Sequence, residues 1–563
     1  MRYIKHLITL TVLIVFTNSK LLSQSLYVGS ITEDYYRRAQ LLGLADTNVS
    51  FTVRPIFPKL STSQSLDPFY PEINPIKADL GNSQWQGQRE RRTAFLVLPF
   101  SINTQYNSNH PYGFNDGAMI PAKGFQTLIG AGVYAKLGPL TIQLRPEFVA
   151  AENREFETFN DDQHIITFAR YYDIYNNIDL PVRFGEKPHN RLSWGQSSIR
   201  LNFNALSVGV STESLWWGPG INNSLLMSNN APGFRHLTLN TLRPVKTPIG
   251  SFEAQLVGGR LNNSNFPPLI ARKYYFERDL YFPKPDDERY LTGAILTWQP
   301  KWVPGLFLGI NQVQQAYSKN LNNVGDYLPL FLPFSSASAP DNAINEKERM
   351  TSGFMRWLWP REHAEIYFEY GRSNNIKDRT QTFLSPNNSR AYTFGLRKLL
   401  PLSKQSGANV LIGIEVTQMQ ENSIDNVRAG KQWYVSNAIR QGYTNQGEVI
   451  GAGIGPGANM QSLSVSWVKG IKRIGLQLDR YVHNNDFYYY AFSDIKDTGR
   501  HWVDLSAALN GEWDYKKVIF NGRIIGTSAL NYQWYNKIYN DLTFKNGRDV
   551  YNIQFQLGAT YRF

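Results

Sequence analysis

The sequence predicts an all-β, antiparallel transmembrane barrel of about 18 strands (16–18), with a small helical N-terminal region on the periplasmic side. Three observations predict it. The last thirteen residues, YNIQFQLGATYRF, alternate: Tyr551, Ile553, Phe555, Leu557, Ala559, Tyr561 and Phe563 share one face, and Asn552, Gln554, Gln556, Gly558, Thr560 and Arg562 the other. Period two over this length is one strand with one apolar face, long enough to cross a bilayer at a barrel tilt. The same dyad recurs upstream, between clusters of turn residues. Finally, the chain is 14% aromatic, yet its mean hydropathy is −0.37. Alternation of lipid-facing and lumen-facing residues hides apolar content from averages in this way.

In chain order, Arg2 and Lys5 precede an apolar run, Leu7–Phe16, and a polar stretch ending LLSQ. This pattern is a secretory signal peptide, residues 1–23, with cleavage near Ser23–Gln24. The run is shorter than the roughly 20 apolar residues of a spanning helix, which disfavours a membrane anchor. There is no cysteine. That excludes disulfides, thiolate metal sites and a lipoprotein anchor. Removing Arg2, Lys5 and Lys20 from the 58 Lys and Arg leaves 55 against 45 Asp and Glu, a mature charge of +10. Such a balance fits an acidic partner, anionic glycan or lipopolysaccharide, as well as a merely solvated surface. With no basic block or recognised motif, nucleic acid is not an expected partner.

Residues 24–92 read as the N-terminal periplasmic region. In TEDYYRRAQLLGL, Thr32 is the expected N-cap, Glu33 and Asp34 fill the first turn, and Gly43 ends the helix. VRPIFPKLSTSQSLDPFYPEINP is broken by proline. The barrel, with long loops, occupies 93–563. Its dyads include Phe100-Ile102-Thr104-Tyr106, Leu140-Ile142-Leu144, Ile199-Leu201-Phe203, Phe252-Ala254-Leu256, Ile366-Phe368-Tyr370, Val410-Ile412-Ile414-Val416, Leu463-Val465-Trp467 and Val503-Leu505-Ala507-Leu509. LGPL, NNSNFPP, SPNNS and LNGEW supply turns between strands, while the wide gaps 152–198, 262–290 and 314–350 predict long outer loops. Arg-Pro recurs in VRPIF, LRPEF and LRPVK. Such pairs mark bent or edge strand positions. The closing aromatics resemble the C-terminal signal of bacterial outer-membrane barrels.

The chemistry-bearing residues are sparse. His6, His110, His164, His189, His236, His363, His483 and His501 show no paired ligand spacing, and no G-x-S-x-G elbow occurs. No cofactor, metal or catalytic residue is predicted. GAGIGPGAN (451–459) fails both phosphate-loop patterns and reads as a loop or tight turn. Glu365 and Glu369 share a strand face opposite Ile366 and Phe368, pointing into the lumen. They are the one carboxylate pair placed for glycan cleavage, though polar lumen residues need no such role. The runs DFYYYAFSD (486–494) and RKYYFERDLYF (272–282) suit interface girdles, or failing that the apolar faces of sugars.

One block is unusual. SLWWGPGINNSLLMSNNAPGF (214–234) is followed by Arg243-Pro244, Ile249-Gly250 and QLVGGRL. With YYRRAQLLG and SFTVRPI near the N-terminus, it resembles the capsule assembly protein Wzi family of outer-membrane proteins. The resemblance implies an outer-membrane barrel of about 18 strands and a non-enzymatic, lectin-like role in attaching or organising capsular or other surface polysaccharide. Within the block, Trp216 and Trp217 offer stacking surfaces. Asn222, Asn223, Asn229 and Asn230 offer amides that match sugar hydroxyls, and Arg235, His236 and Arg243 offer groups for acidic sugars. The same residues could fold inward as a plug around Leu225-Leu226-Met227. The expected partners are capsular or other surface polysaccharide, acidic polymers included, and outer-membrane lipid, with the barrel a monomer. The alternative function is a diffusion channel or polysaccharide export pore. The chain is too short for a plugged 22-stranded transporter.

Overall fold

The computed structural model describes residues 25–57, 93–159, 163–269, 273–321, 327, 347–373, 389–402, 407–421, 432–492, 501–534 and 549–563. The signal peptide expected at 1–23, and the expected N-terminal region beyond residue 57, lie outside the described residues.

Twenty-one strand segments form one closed antiparallel sheet. Three staves of the barrel are each two segments: Leu140–Leu144 with Glu147–Ala151, His189–Ser193 with Ser198–Phe203, and His236–Thr241 with Val245–Thr247. The 21 segments therefore make 18 staves among the described residues. Two of the breaks fall at Arg145-Pro146 and Arg243-Pro244. Proline has no N–H for the ladder, so the strand is interrupted there. The barrel closes where Thr93–Asn107 pairs with the C-terminal strand Val550–Tyr561, from Phe100↔Tyr561 to Asn107↔Gln554.

Alternation sets the two faces. Leu505, Leu509, Ile524, Ile553 and Leu557 are exposed on the outside, whereas Ser506, Thr527, Asn552 and Gln554 are buried inside. Connections at one end are tight. Lys469 pairs with Lys472 across Gly470-Ile471, and the φ of +61° at Gly470 is one that glycine adopts without strain. Paired tryptophans lie near this end: Trp298 with Trp302, Trp357 with Trp359, and Trp467 stacked on Trp513 at 6.5 Å. The long connections, including 152–188, 212–235, 419–458 and 483–502, leave from the opposite end.

The lumen is packed with chain. Helix α1 (Ile31–Leu41) sits in the tight-turn mouth. Its N-cap is Ser30, whose Oγ accepts from the Glu33 N–H at 3.3 Å. The cap thus falls two residues before the expected Thr32, whose hydroxyl instead donates to Ser30 Oγ at 3.1 Å. Arg38 donates to Gly470 O at 2.9 Å, and His363 Nδ1 meets Leu41 O at 3.1 Å, which ties α1 to two of the tight turns. Asp34 faces Arg38, Arg397 and Arg473 at 2.8, 3.0 and 3.6 Å. Burial alone would raise its pKa, but these guanidiniums hold it well below the ordinary carboxylate range. Two further helices, α2 (Ile165–Tyr175) and α3 (Asn485–Phe492), lie in the long connections and pack on each other.

Candidate functional site

The unusual block 214–234 enters the lumen from the long-connection end. Trp216 and Trp217 form a two-residue antiparallel ladder with Val53 and Arg54. Trp217 is fully buried, and its Nε1 donates to Gln255 Oε1 at 2.8 Å. The Arg54 guanidinium lies 4.6 Å from the Trp216 ring. Two glycines are required by close approach. A Cβ on Gly220 would strike Asn223 O, and one on Gly233 would strike Thr212 O.

The turn after the tryptophans is built around one acid. Glu415, on the strand Asn409–Gln418, accepts from the backbone N–H of Ile221, Asn222 and Asn223 at 2.7, 3.0 and 2.9 Å. It also accepts from Tyr367 Oη at 2.7 Å. Leu225, Leu226 and Met227 are buried. The hydroxyls of Tyr434 and Tyr443 donate to Leu225 O and Leu226 O at 2.6 and 2.8 Å. Ser228 N donates to Ile450 O at 2.8 Å, and Asn230 Nδ2 to Val449 O at 3.0 Å. The glycine-rich 451–459 segment packs directly beside this island, since a Cβ on Gly451 would strike Leu225 O.

The nine residues singled out in the sequence do not form one surface. Trp216, Trp217, Asn223, Asn229, Asn230 and His236 are buried. Asn229 Nδ2 donates to Asn115 O at 2.9 Å, Asn222 O accepts from Asn115 Nδ2 at 2.6 Å, and His236 Nδ1 lies 2.7 Å from Phe234 O. Arg235 is exposed, at the long-connection end. Arg243 lies at the other end of the barrel, bonded to Asn204 in a tight turn. The Glu365–Glu369 pair does face the lumen, but Glu365 is held by Arg37, Arg356 and Arg397 at 3.0, 2.6 and 3.7 Å. Glu369 accepts from Ser352 Oγ at 2.6 Å. Both carboxylates serve as buried acceptors for packed chain.

What faces outward lies above the plug. The aromatic runs, read in the sequence as girdles, belong instead to the long connections. In α3, Phe487 and Tyr488 are buried, and Phe487 packs on Tyr171 of α2, which stacks on Phe159 at 4.6 Å and on Tyr175 at 4.1 Å. Tyr490 Oη donates to Asp173 at 2.7 Å, and Arg170 donates to Tyr490 O at 2.6 Å, crossing the two helices. Trp502 lies parallel to His483 at 3.6 Å, and both bond Asp504, at 3.0 and 2.8 Å.

Within the run 272–282, the described residues 273–282 form a hairpin in which Tyr274-Tyr275 pairs with Arg278-Asp279. Phe276 and Glu277 occupy its tip with φ of 46° and 61°. Phe276 is 81% exposed, Tyr274 56% and Phe282 55%. Large aromatic rings left in water at a loop tip mark a contact surface. The base is fixed from below: Asn176 accepts from Phe282 N at 2.9 Å and donates to Leu280 O at 2.8 Å, and Arg440 donates to Phe282 O and Pro283 O at 2.7 and 3.0 Å. Two lysines stand at the base of the hairpin, each against a ring other than the three exposed ones. Lys273 Nζ is 4.2 Å from the Phe168 ring and Lys284 Nζ is 5.7 Å from Tyr281. Burial, with Arg440 nearby and only Asp179 opposing, lowers the Lys284 pKa to about 8. Exposed flat rings suit stacking on pyranose faces, and the lysines at the hairpin base offer charge for uronates.

Comparison with known proteins agrees with this architecture. The family model described as capsule assembly protein Wzi matches residues 108–520. Among solved structures, the chain is similar to Wzi of Escherichia coli, described as an outer membrane protein involved in group 1 capsule assembly and a carbohydrate-binding β-barrel. Identity is 12% and the TM-score 0.56, over 97% of this chain and 100% of that one. It is also similar to OccAB2 of Acinetobacter baumannii, at 10% identity and TM-score 0.40 over 83% of this chain and 97% of that one. OccK8 of Pseudomonas aeruginosa follows at 9% and 0.37, with the same coverage of 83% and 97%. No curated protein sequence matches.

Proposed function

The chain belongs to the capsule assembly protein Wzi family, and we propose that it holds capsular or other surface polysaccharide at the outside of the bacterial outer membrane without cleaving it. The long connections face outward and the tight turns face the periplasm, as barrels of this kind are built. Residues 25–57 then occupy the periplasmic mouth. The observation that carries the reading is the pairing of a packed lumen with an exposed aromatic hairpin over it: Trp217 is fully buried inside, while Phe276 is 81% exposed above. A lumen filled by α1, 214–234 and 432–458 supports a binding barrel over a diffusion channel or export pore.

In this reading Trp216, Trp217, Asn222, Asn223, Asn229 and Asn230 act as the plug that supports the surface. Tyr274, Phe276 and Phe282 contact the glycan, and Lys273 and Lys284 select acidic residues in it. The fold relative from Escherichia coli, a carbohydrate-binding barrel by its description, supports the same direction. A glycan array probed with the purified barrel tests it. Binding to acidic capsular polysaccharides, lost in the Tyr274→Ala/Phe276→Ala variant, is the expected result. Equal binding by that variant would remove the hairpin from the site, and no binding to any surface polysaccharide would remove the function.

A further inference from the structure

The outer face of the barrel carries a hollow of about 880 Å³ across the strands from Asn409–Gln418 to Val550–Tyr561. Its cause is legible in the register. One lateral row runs Ile414, Leu463, Leu478, Ala507, Gly526, Ile553, each residue paired with the next. Large apolar side chains stand at both ends, and the two smallest residues lie together in the middle. The next row toward the long-connection end contains Gln461, Arg480 and Ser528. Arg480 is exposed there, and its guanidinium is steadied by Gln461 Oε1 at 2.9 Å and Asn459 Oδ1 at 3.4 Å. A cation on the lipid-facing side is costly unless it meets a headgroup.

We infer that this hollow is a lipid site: it seats one acyl chain of a phosphorylated outer-leaflet lipid over Ala507 and Gly526, with the phosphate on Arg480. The volume falls within the roughly 300–1,000 Å³ of small-molecule sites. Methylenes laid over Ala507 and Gly526 gain contact with the larger apolar side chains on either side of the hollow. The assignment to the outer leaflet rests on the orientation proposed above. It leaves glycan binding untouched, because the hollow is on the outside wall and the hairpin is over the mouth.

The site can be filled without disturbing the fold. A Cβ on Gly526 meets nothing within 4 Å, and its φ is not positive. Native mass spectrometry of the intact barrel in mild detergent, with added bis-phosphorylated lipid A, dephosphorylated lipid A or phosphatidylethanolamine, reads retention directly. The wild type is expected to retain bis-phosphorylated lipid A at least tenfold better than the dephosphorylated form or the zwitterionic phosphatidylethanolamine. Gly526→Leu should lose it with unchanged heat-modifiable migration and unchanged glycan binding. Arg480→Ala should keep the acyl contact and lose the preference for phosphate. Equal retention by Gly526→Leu, retention of phosphatidylethanolamine alone, or a lipid-free dimer through this face would each overturn the assignment.

Discussion

Replacing Glu415 with alanine should release the plug while leaving the barrel standing. Its carboxylate is the shared acceptor for three consecutive backbone N–H groups, at 2.7, 3.0 and 2.9 Å, and for the Tyr367 hydroxyl. Asn223 is buried, and Ile221 and Asn222 are half-buried. An orphaned donor costs about 1–3 kcal/mol, so three orphans cost about 3–9 kcal/mol. Partial exposure at two of the three lets water recover some of this, which favours the lower end. About 3 kcal/mol is about a hundredfold in a local opening equilibrium. Hydrogen exchange read on peptides covering 214–234 measures that equilibrium without unfolding the sheet. The expected result is exchange about a hundredfold faster across 221–223 in Glu415→Ala, with strand peptides such as 503–515 unchanged. Glu415→Gln, which keeps one acceptor oxygen, should fall between. Wild-type protection at 221–223 in Glu415→Ala would refute the view that this acid shapes the plug.

Three further outcomes follow from the same geometry. Glu365→Gln weakens the acceptor that neutralises Arg37, Arg356 and Arg397; breaking a buried pair costs about 3–5 kcal/mol, so protease cleavage within 31–41 should appear in this variant and not in the wild type. Trp217→Ala should destabilise by about 3–5 kcal/mol through the cavity it leaves, lowering the temperature of the heat-modifiable shift, whereas Phe276→Ala should leave that temperature alone and weaken glycan binding. Lys284, with its pKa lowered to about 8 by burial, carries its charge below that pH and sheds it above. Affinity for an acidic glycan should therefore drop between pH 7 and pH 9, and Lys284→Met should flatten the profile; a neutral glycan showing the same drop would exclude charge as the cause.

The strands were legible because a barrel wall imposes one rule on every residue. The dyads at 410–416, 463–467, 503–509 and 551–561 all lie on strands, since each must alternate lipid and lumen. Arg145-Pro146 and Arg243-Pro244 marked real breaks for a local reason, the missing proline N–H. Helix α1 was visible through its acidic first turn and its Gly43 stop, although the cap shifted to Ser30. The interior was legible in part: Leu225-Leu226-Met227 is the buried island of an inward fold, and Glu365 and Glu369 do face the lumen, but the long-range pairings were not. The pairing of Val53-Arg54 with Trp216-Trp217 joins segments far apart in the chain, and no local pattern encodes it. DFYYYAF reads as a girdle by composition but forms α3, where Phe487 buries against Phe159, Tyr171 and Trp534 rather than against lipid. The hairpin rings Tyr274 and Phe276 were noticeable as a run; only the fold shows which end of the barrel they occupy. Arg243 was grouped with the tryptophans by sequence distance, and the strand between carries it to the opposite mouth.

The most direct test is the distribution of polysaccharide in cells lacking the chain. Total polymer should match the parent strain, with the cell-bound fraction moved into the medium and returned to the surface by the wild-type gene but not by the Tyr274→Ala/Phe276→Ala form. Undiminished cell-bound polysaccharide in the deletant would contradict the account.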